Sequence, residues 1–133
     1  MSGPETILLA EDNDDDVLLI RRAFAQAGLV EPLHVVPNGE LAIAYLKGDG
    51  AYADRSLYPW PKLLLLDLKM PRKTGLEVLE WIKSNPQSRP LKVVVLTTST
   101  ELRDVSLAYQ LGAKSFLVKP ADFERTLTLI RAL

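Results

Sequence analysis

The 133-residue chain contains no cysteine. That single absence excludes disulfide frameworks, thiolate zinc sites and cysteine nucleophiles. It has one histidine, His34, which is too few for a polyhistidine metal centre. An excess of either charge is also missing, with 16 Lys and Arg against 17 Asp and Glu. A net charge of −1 supplies no long-range attraction for nucleic acid or an anionic membrane. No apolar run approaches the ~20 residues of a membrane span. Residues 1–5 lack the basic start and apolar middle of a signal peptide. A soluble cytoplasmic domain is expected, with neither nucleic acid nor membrane among its partners. Internal repeats, low-complexity tracts and interdomain linkers are absent too. What is present is ordinary globular composition, 47% hydrophobic and 25% charged, in a length that fits one domain over residues 1–133. A chain of this size buries roughly two-thirds of its unfolded surface and needs no staples.

Two apolar patterns alternate from end to end. Short, nearly unbroken apolar runs occupy Ile7–Ala10, Leu33–Val36, Leu63–Leu66, 93–96 and 116–118. Such runs suit strands buried on both faces of a parallel sheet. Between them lie stretches with helical spacing. Val17, Ile20, Phe24 and Ala27 form one apolar face, with Gly28 as its C-terminal stop. Leu41, Tyr45 and Leu46 follow Asn38, a predicted N-cap. Val78, Leu79 and Ile82 are ended by Asn85-Pro86, and Val105, Ala108 and Tyr109 by Gly112. Phe123, Leu127 and Ile130 make the last face. The strand-helix unit thus recurs five times, the pattern of an α/β, doubly wound open parallel sheet with helices on both faces. One stretch, residues 48–61 (GDGAYADRSLYPWP), is longer than most connections and reads as a surface loop.

In open α/β sheets the binding crevice lies beyond the carboxyl ends of the strands. The first run is followed by Glu11-Asp12, the third by Asp67, the fourth by Thr97 and the fifth by Lys119-Pro120. The second delivers only Pro37-Asn38. Glu11, Asp12 and Asp67 therefore converge, and two like charges ~4 Å apart repel by about 4 kcal/mol at an effective dielectric of 20. A hard divalent cation removes that cost, and Mg²⁺ fits best because it takes carboxylates while keeping several waters or phosphate oxygens. Lys119 and the Thr97 hydroxyl suit the oxygens of a phosphoryl group. A carboxylate nucleophile, a metal, a lysine and a hydroxyl together suit the making and holding of an aspartyl phosphate, with Asp67 as nucleophile.

The motifs ILLAEDND, LLLLDLKMPRKTG, VVVLTTS and AKSFLVKP, in that order, resemble the receiver domain of two-component response regulators. The separations of 30 residues from Asp67 to Thr97 and 22 from Thr97 to Lys119 also match that family. The run DLKMPRKTGLEVL, the LTTS motif and the long insertion are most similar to the stand-alone receivers associated with bacterial phytochromes. The resemblance implies a flavodoxin-like, five-stranded sheet in order 2-1-3-4-5 with five helices. It implies Asp67 as phospho-acceptor and Mg²⁺ held by Glu11, Asp12, Asp67 and the backbone carbonyl of Lys69. Thr97 and Lys119 would contact the phosphoryl group, Thr97 and Phe116 would switch, and Lys119-Pro120 would be a cis peptide. The implied partner is a sensor histidine kinase, phytochrome-like in the narrower reading. The phosphoprotein would change surface and then dephosphorylate itself, without being an enzyme for other substrates. No output module follows Leu133 in this sequence, so output is expected through a protein contact, phosphorelay or a further domain.

Several residues read more simply. Residues 13–16, Asn-Asp-Asp-Asp, are a helix start whose acids complement the dipole. Gly75 serves the turn into the third helix. His34 lies in a strand and receives no catalytic role, and Trp60 and Trp81 are packing or interface residues. The alternatives are a degenerate receiver used only for docking, and a Mg²⁺-dependent aspartate-nucleophile phosphatase. The latter usually has a second acid two residues after the nucleophile, where this chain has Lys69. Leu129 and Leu133 lie beside the inward stripe of the last helix, and Arg103, Asp104, Arg125 and Arg131 supply both signs of charge. A homodimer through the fourth helix, fifth strand and fifth helix is therefore expected.

Overall fold

Each apolar run becomes a strand of one parallel sheet. The computed structural model describes residues 6–29, 32–85, 91–98, 101–120 and 122–133. Strands β1 (Ile7–Ala10), β2 (Leu33–Val36), β3 (Leu63–Leu66), β4 (Lys92–Thr97) and β5 (Ser115–Val118) lie in order β2-β1-β3-β4-β5. All four pairings are parallel. The first three strands have the bounds their apolar runs predict. β4 and β5 extend into polar residues because the ladder is built from backbone groups: Lys92 pairs with Leu63, and Ser115 with Val94.

The two-residue period of the strands divides the core in two. Leu8, Ala10, Leu64, Leu66, Val93 and Val95 point to one face, where helices α2 (Gly39–Lys47), α3 (Gly75–Ser84) and α4 (Leu102–Gln110) cover them. Ile7, Leu9, Leu63, Leu65, Val94 and Leu96 point to the other, under α1 (Asp14–Gln26) and α5 (Phe123–Arg131). Leu64, Leu65 and Leu66 are wholly buried at the centre. Truncating one of them to alanine costs about 2–5 kcal/mol. Trp60 and Trp81 pack half-buried against the first cluster.

The helix ends follow local chemistry. Asn13 caps α1 by accepting from the N–H groups of Asp15 and Asp16, at 2.9 and 3.1 Å. Asn38 caps α2 through Leu41 N–H at 2.8 Å. α3 begins with a reciprocal capping box between Thr74 and Glu77. Gly28 and Gly112, past the ends of α1 and α4, have φ of 73° and 104°, where glycine carries no Cβ penalty. Pro86, predicted to stop α3, and Ser99 and Thr100 of the polar run after β4 lie outside the described residues.

The long connection after α2 is packed rather than loose. It turns through a short 3-10 segment, Gly50–Tyr52, and folds back on the helix it leaves. Arg55 donates from Nη1 to the carbonyls of Tyr45 (2.7 Å) and Tyr58 (2.9 Å), and from Nη2 to that of Leu46 (2.7 Å). Those carbonyls include two in the last turn of α2, of which that of Tyr45 also accepts from Gly48 N–H at 3.1 Å. Tyr45, Tyr52 and Tyr58 stack mutually at 5.2–5.9 Å, and His34 on β2 lies against Tyr45 and Tyr58. His34 is thus part of an aromatic cluster. Burial, and secondarily the Arg21 charge, holds its pKa below the ordinary value.

Candidate functional site

The parallel sheet places the carboxyl ends of β1, β3, β4 and β5 along one edge, and the polar residues that follow them share it. Backbone bonds hold the register beyond the strands: Glu11 N–H donates to the Val36 carbonyl, Asp67 N–H to Ala10 and Lys119 N–H to Thr97. Carboxylate oxygens of Glu11, Asp12 and Asp67 lie within 4.8 Å of one another. Glu11 and Asp67 are buried while Asp12 is exposed, so the group opens to solvent on one side. Three hard oxygen donors beside open space suit an ion that retains waters, as Mg²⁺ does.

Lys119 reaches into this group from β5. Its Nζ lies 2.6 Å from Glu11 Oε2, 3.0 Å from Asp67 Oδ2 and 2.8 Å from Asp16 Oδ2. Burial pulls the ammonium pKa down, but the hydrogen bonds from Asp16, Glu11 and Asp67 outweigh it and leave Lys119 firmly charged. Burial pushes the Glu11 carboxyl up to about 7, with the Asp67 charge adding to the rise and Lys119 opposing it. Asn13 N–H steadies Glu11 Oε1 at 3.1 Å, and Lys69 N–H donates to Asp67 Oδ1 at 3.1 Å. The arrangement is an overall acidic pocket with one fixed cation at its centre.

Other predicted site residues fall as follows. Thr97 closes β4, fully buried at the same edge one strand from Asp67. Phe116 is half-buried on β5 against the α2–α3–α4 side of the core. Its N–H donates to the Tyr109 hydroxyl at 3.1 Å, tying β5 to α4. The Lys119–Pro120 peptide is not cis, since no cis bond occurs among the described residues. The trans form is the ground state of an X–Pro bond by about 0.5–1 kcal/mol, and with it Lys119 already reaches all three carboxylates.

Three residues act differently from their sequence reading. Asp16 belongs to the first turn of α1, as read, yet it also pairs with Lys119, 103 residues away. Asp104 is buried and pairs with Lys69 Nζ at 3.6 Å, so it is not a surface charge for a two-fold partner. Gly75 has no positive φ, and its need is space. A Cβ there would sit 2.4 Å from the Asp67 carbonyl oxygen and 2.8 Å from Leu68 Cα. Glycine lets α3 begin against the acceptor's own backbone, a requirement that only the packed structure reveals. Leu129 and Leu133, expected beside the inward stripe and partly facing solvent, are half-buried against the α1–α5 core. The large apolar side chains that are exposed on α4 and β5 are Leu102, Tyr109 and Val118.

Comparison with known proteins agrees with this geometry. Residues 7–131 match the family described as the response regulator receiver domain. The probable methanogenesis regulatory protein FilR2 of Methanothrix harundinacea (strain 6Ac) is 42% identical over 91% of this chain and 76% of its own. The crystal structure of response regulator RPA3017, in red light signaling of R. palustris, superposes with a TM-score of 0.89 at 37% identity, covering 96% of this chain and 90% of that one. The phosphorylated cyanobacterial phytochrome response regulator RcpA gives 0.88 at 35% identity, with coverage of 98% and 91%. Among the described residues no helix is long and apolar enough to cross a membrane. With the matched span, the strand order and the acidic edge in agreement, the chain belongs to the response regulator receiver domains of two-component signalling.

Proposed function

We propose that this receiver accepts a phosphoryl group on Asp67 from the phosphohistidine of a sensor kinase in the cytoplasm. A carboxylate oxygen of Asp67 attacks phosphorus, the P–N bond breaks, and its electron pair returns to the imidazole. Water later attacks the same phosphorus, the P–O bond to Asp67 breaks, and inorganic phosphate leaves. The observation that carries this reading is the placement of Lys119 Nζ 3.0 Å from Asp67 Oδ2 inside a ring of carboxylates. Phosphoryl transfer needs mainly positioning and charge neutralisation. Lys119 supplies one fixed positive charge, the Lys69 N–H orients the acceptor, and Thr97 stands at the edge as hydroxyl donor to the transferred group. Glu11, Asp12, Asp67 and the Lys69 carbonyl would hold Mg²⁺, which when bound supplies the remaining positive charge for the phosphoryl oxygens. Thr97 and Phe116 would carry the switch toward α4 and β5.

Incubation with Mg²⁺ and acetyl phosphate should give a stoichiometric adduct of about 80 Da, one phosphoryl group per chain. Asp67→Asn should abolish it with the fold intact. An adduct of equal yield on that variant places the acceptor elsewhere. Turnover of added phosphoesters would favour the phosphatase alternative, but Lys69 occupies the position such enzymes give to an acid and is engaged with Asp104.

The donor kinase is proposed to be phytochrome-like, on the strength of the red-light and phytochrome receivers that superpose on this chain. The output surface is proposed to be a homodimer through α4, β5 and α5. Leu102, 82% exposed, and Val118, 51% exposed, supply apolar area there, and Tyr109 links the two elements. Sedimentation at micromolar concentration should show dimers that tighten with beryllofluoride, and Leu102→Glu should weaken them without lowering the adduct yield. A strict monomer in both states removes the dimer.

A further inference from the structure

We propose that Asp16 restrains Lys119 in the resting protein and competes with the phosphoryl group for its ammonium. The inference deepens the phosphoryl reading of the site and rests on it. An ammonium has three N–H donors. In the resting protein three carboxylate oxygens, from Glu11, Asp16 and Asp67, lie within 2.6–3.0 Å of Lys119 Nζ, so each donor already has an acceptor. A phosphoryl oxygen on Asp67 gains the full Lys119 charge only if one of these acceptors yields. Glu11 is buried and steadied by Asn13 N–H, and Asp67 is the acceptor itself. Asp16 is the one that can leave cheaply. Its side chain is 32% exposed against 1% for Glu11 and 5% for Asp67, so water replaces Lys119 around it. It also stands outside the carboxylate group suited to a metal ion, which contains Glu11, Asp12 and Asp67. No cation placed there relieves its charge directly. Asp16 is therefore a positioning residue, holding the ammonium centred among the acids while the site is empty and opposing the arrival of a further anion.

The consequence is a receiver whose affinity for the phosphoryl group is held below what its other residues would allow. The competition is readable with beryllofluoride, which coordinates a carboxylate oxygen and presents three fluorines where the phosphoryl oxygens would be. With Mg²⁺ present, calorimetric titration of Asp16→Asn should show about five- to ten-fold tighter beryllofluoride than the wild type, a gain of about 1–1.4 kcal/mol. Asn keeps an oxygen able to accept from Lys119 but removes the charge. Asp16→Glu restores the charge and should return the affinity toward the wild type. Asp15→Asn removes the same charge from an exposed site on the same turn and should change affinity less than about two-fold, since solvent-facing charges are screened. Affinity unchanged or weakened in Asp16→Asn overturns the inference, as does an equal gain in Asp15→Asn, which would make the effect one of general charge. A wild type that binds no beryllofluoride and takes no phosphoryl group overturns the phosphoryl reading and this inference with it. Normal wild-type binding with an unaltered Asp16→Asn overturns this inference alone.

Discussion

Two regions of this molecule use one cation to gather three oxygens, and they do opposite things with it. Arg55 ties the carbonyls of Tyr45, Leu46 and Tyr58, all uncharged, into the connection after α2. Lys119 ties the carboxylates of Glu11, Asp16 and Asp67 at the carboxyl edge of the sheet. Around Arg55 the acceptors are neutral dipoles that do not repel one another as anions, and the group carries only the single positive charge of the guanidinium, so the arrangement is static. Around Lys119 three anions share one positive charge, and the surplus is negative. A surplus of that kind is a standing demand for a cation or for a change in what the acceptors carry. Both regions are equally well bonded in distance, and charge balance alone separates the structural device from the responsive one.

Removing each cation has the largest expected effect. Lys119→Met leaves buried carboxylates without a partner, and breaking a buried ion pair from one side costs about 3–5 kcal/mol. The loss should be greatest without metal at pH 8 and smaller at pH 5.5. Glu11 gives the sign. Its folded pKa of about 7 lies above the ordinary 4.5, so between those values the folded protein holds a proton that the unfolded chain has released. The stability this contributes is complete below about 4.5 and is lost as pH rises through about 7. Losing Lys119 removes an influence that lowers the Glu11 pKa, so the window moves to higher pH. Urea midpoints at the two pH values measure this directly. Arg55→Met should cost about 2–3 kcal/mol, from the loss of three hydrogen bonds made by a charged donor, with no difference between the two pH values. Equal pH dependence in both variants would mean that charge balance does not separate the two regions.

The two regions also differ in how far the sequence discloses them. The first three strands were legible to the residue because short, nearly unbroken apolar runs between polar and turn residues suit strands of a parallel sheet, and even β2, with His34 in it and only half-buried, keeps those bounds. The acidic edge was legible because the carboxyl ends of parallel strands lie along one side of the sheet whatever the helices do, whereas the strand order came from the resemblance to receiver domains. Asp12 comes one residue after Glu11, and Glu11, Asp67 and Lys119 each immediately follow a strand. Asp16 does not. Its approach to Lys119 depends on how α1 lies across the sheet, and three adjacent aspartates look alike until that is set. Arg55 was hidden for a related reason: a connection carries no periodicity, so nothing marks the residue that folds back. Asp104 looked like one surface charge among several, although the turn of α4 buries it against Lys69. The cis peptide was expected from resemblance rather than from any local chemistry of Lys119-Pro120, and the structure has it trans.

The smallest expected effect comes from changing charge while keeping side-chain shape. Asp67→Asn removes one of the three anions around Lys119; its single oxygen can keep the bond from Lys69 N–H, now 3.1 Å from Oδ1, while an NH2 group replaces Oδ2 and gives up the bond from Lys119. The variant loses an attraction between Asp67 and Lys119. It also loses the repulsion between Asp67 and Glu11, one of the causes that raise the Glu11 carboxyl to about 7. Glu11, Asp16 and Asp67 together with Lys119 sum to −2 when all are ionised, so removing an anion brings the pocket nearer neutrality. At an effective dielectric of about 20 the gained and lost terms are of similar size, and the net gain is about 0–1 kcal/mol. Metal-free Asp67→Asn should therefore unfold at the same or a slightly higher urea concentration than the wild type at pH 8. Its stability should also fall less steeply between pH 5.5 and 8, because Glu11 then ionises more easily in the folded state. A variant clearly less stable than the wild type at pH 8 would mean that Asp67 and Lys119 act as an ordinary structural pair, on the same footing as Arg55 and its carbonyls.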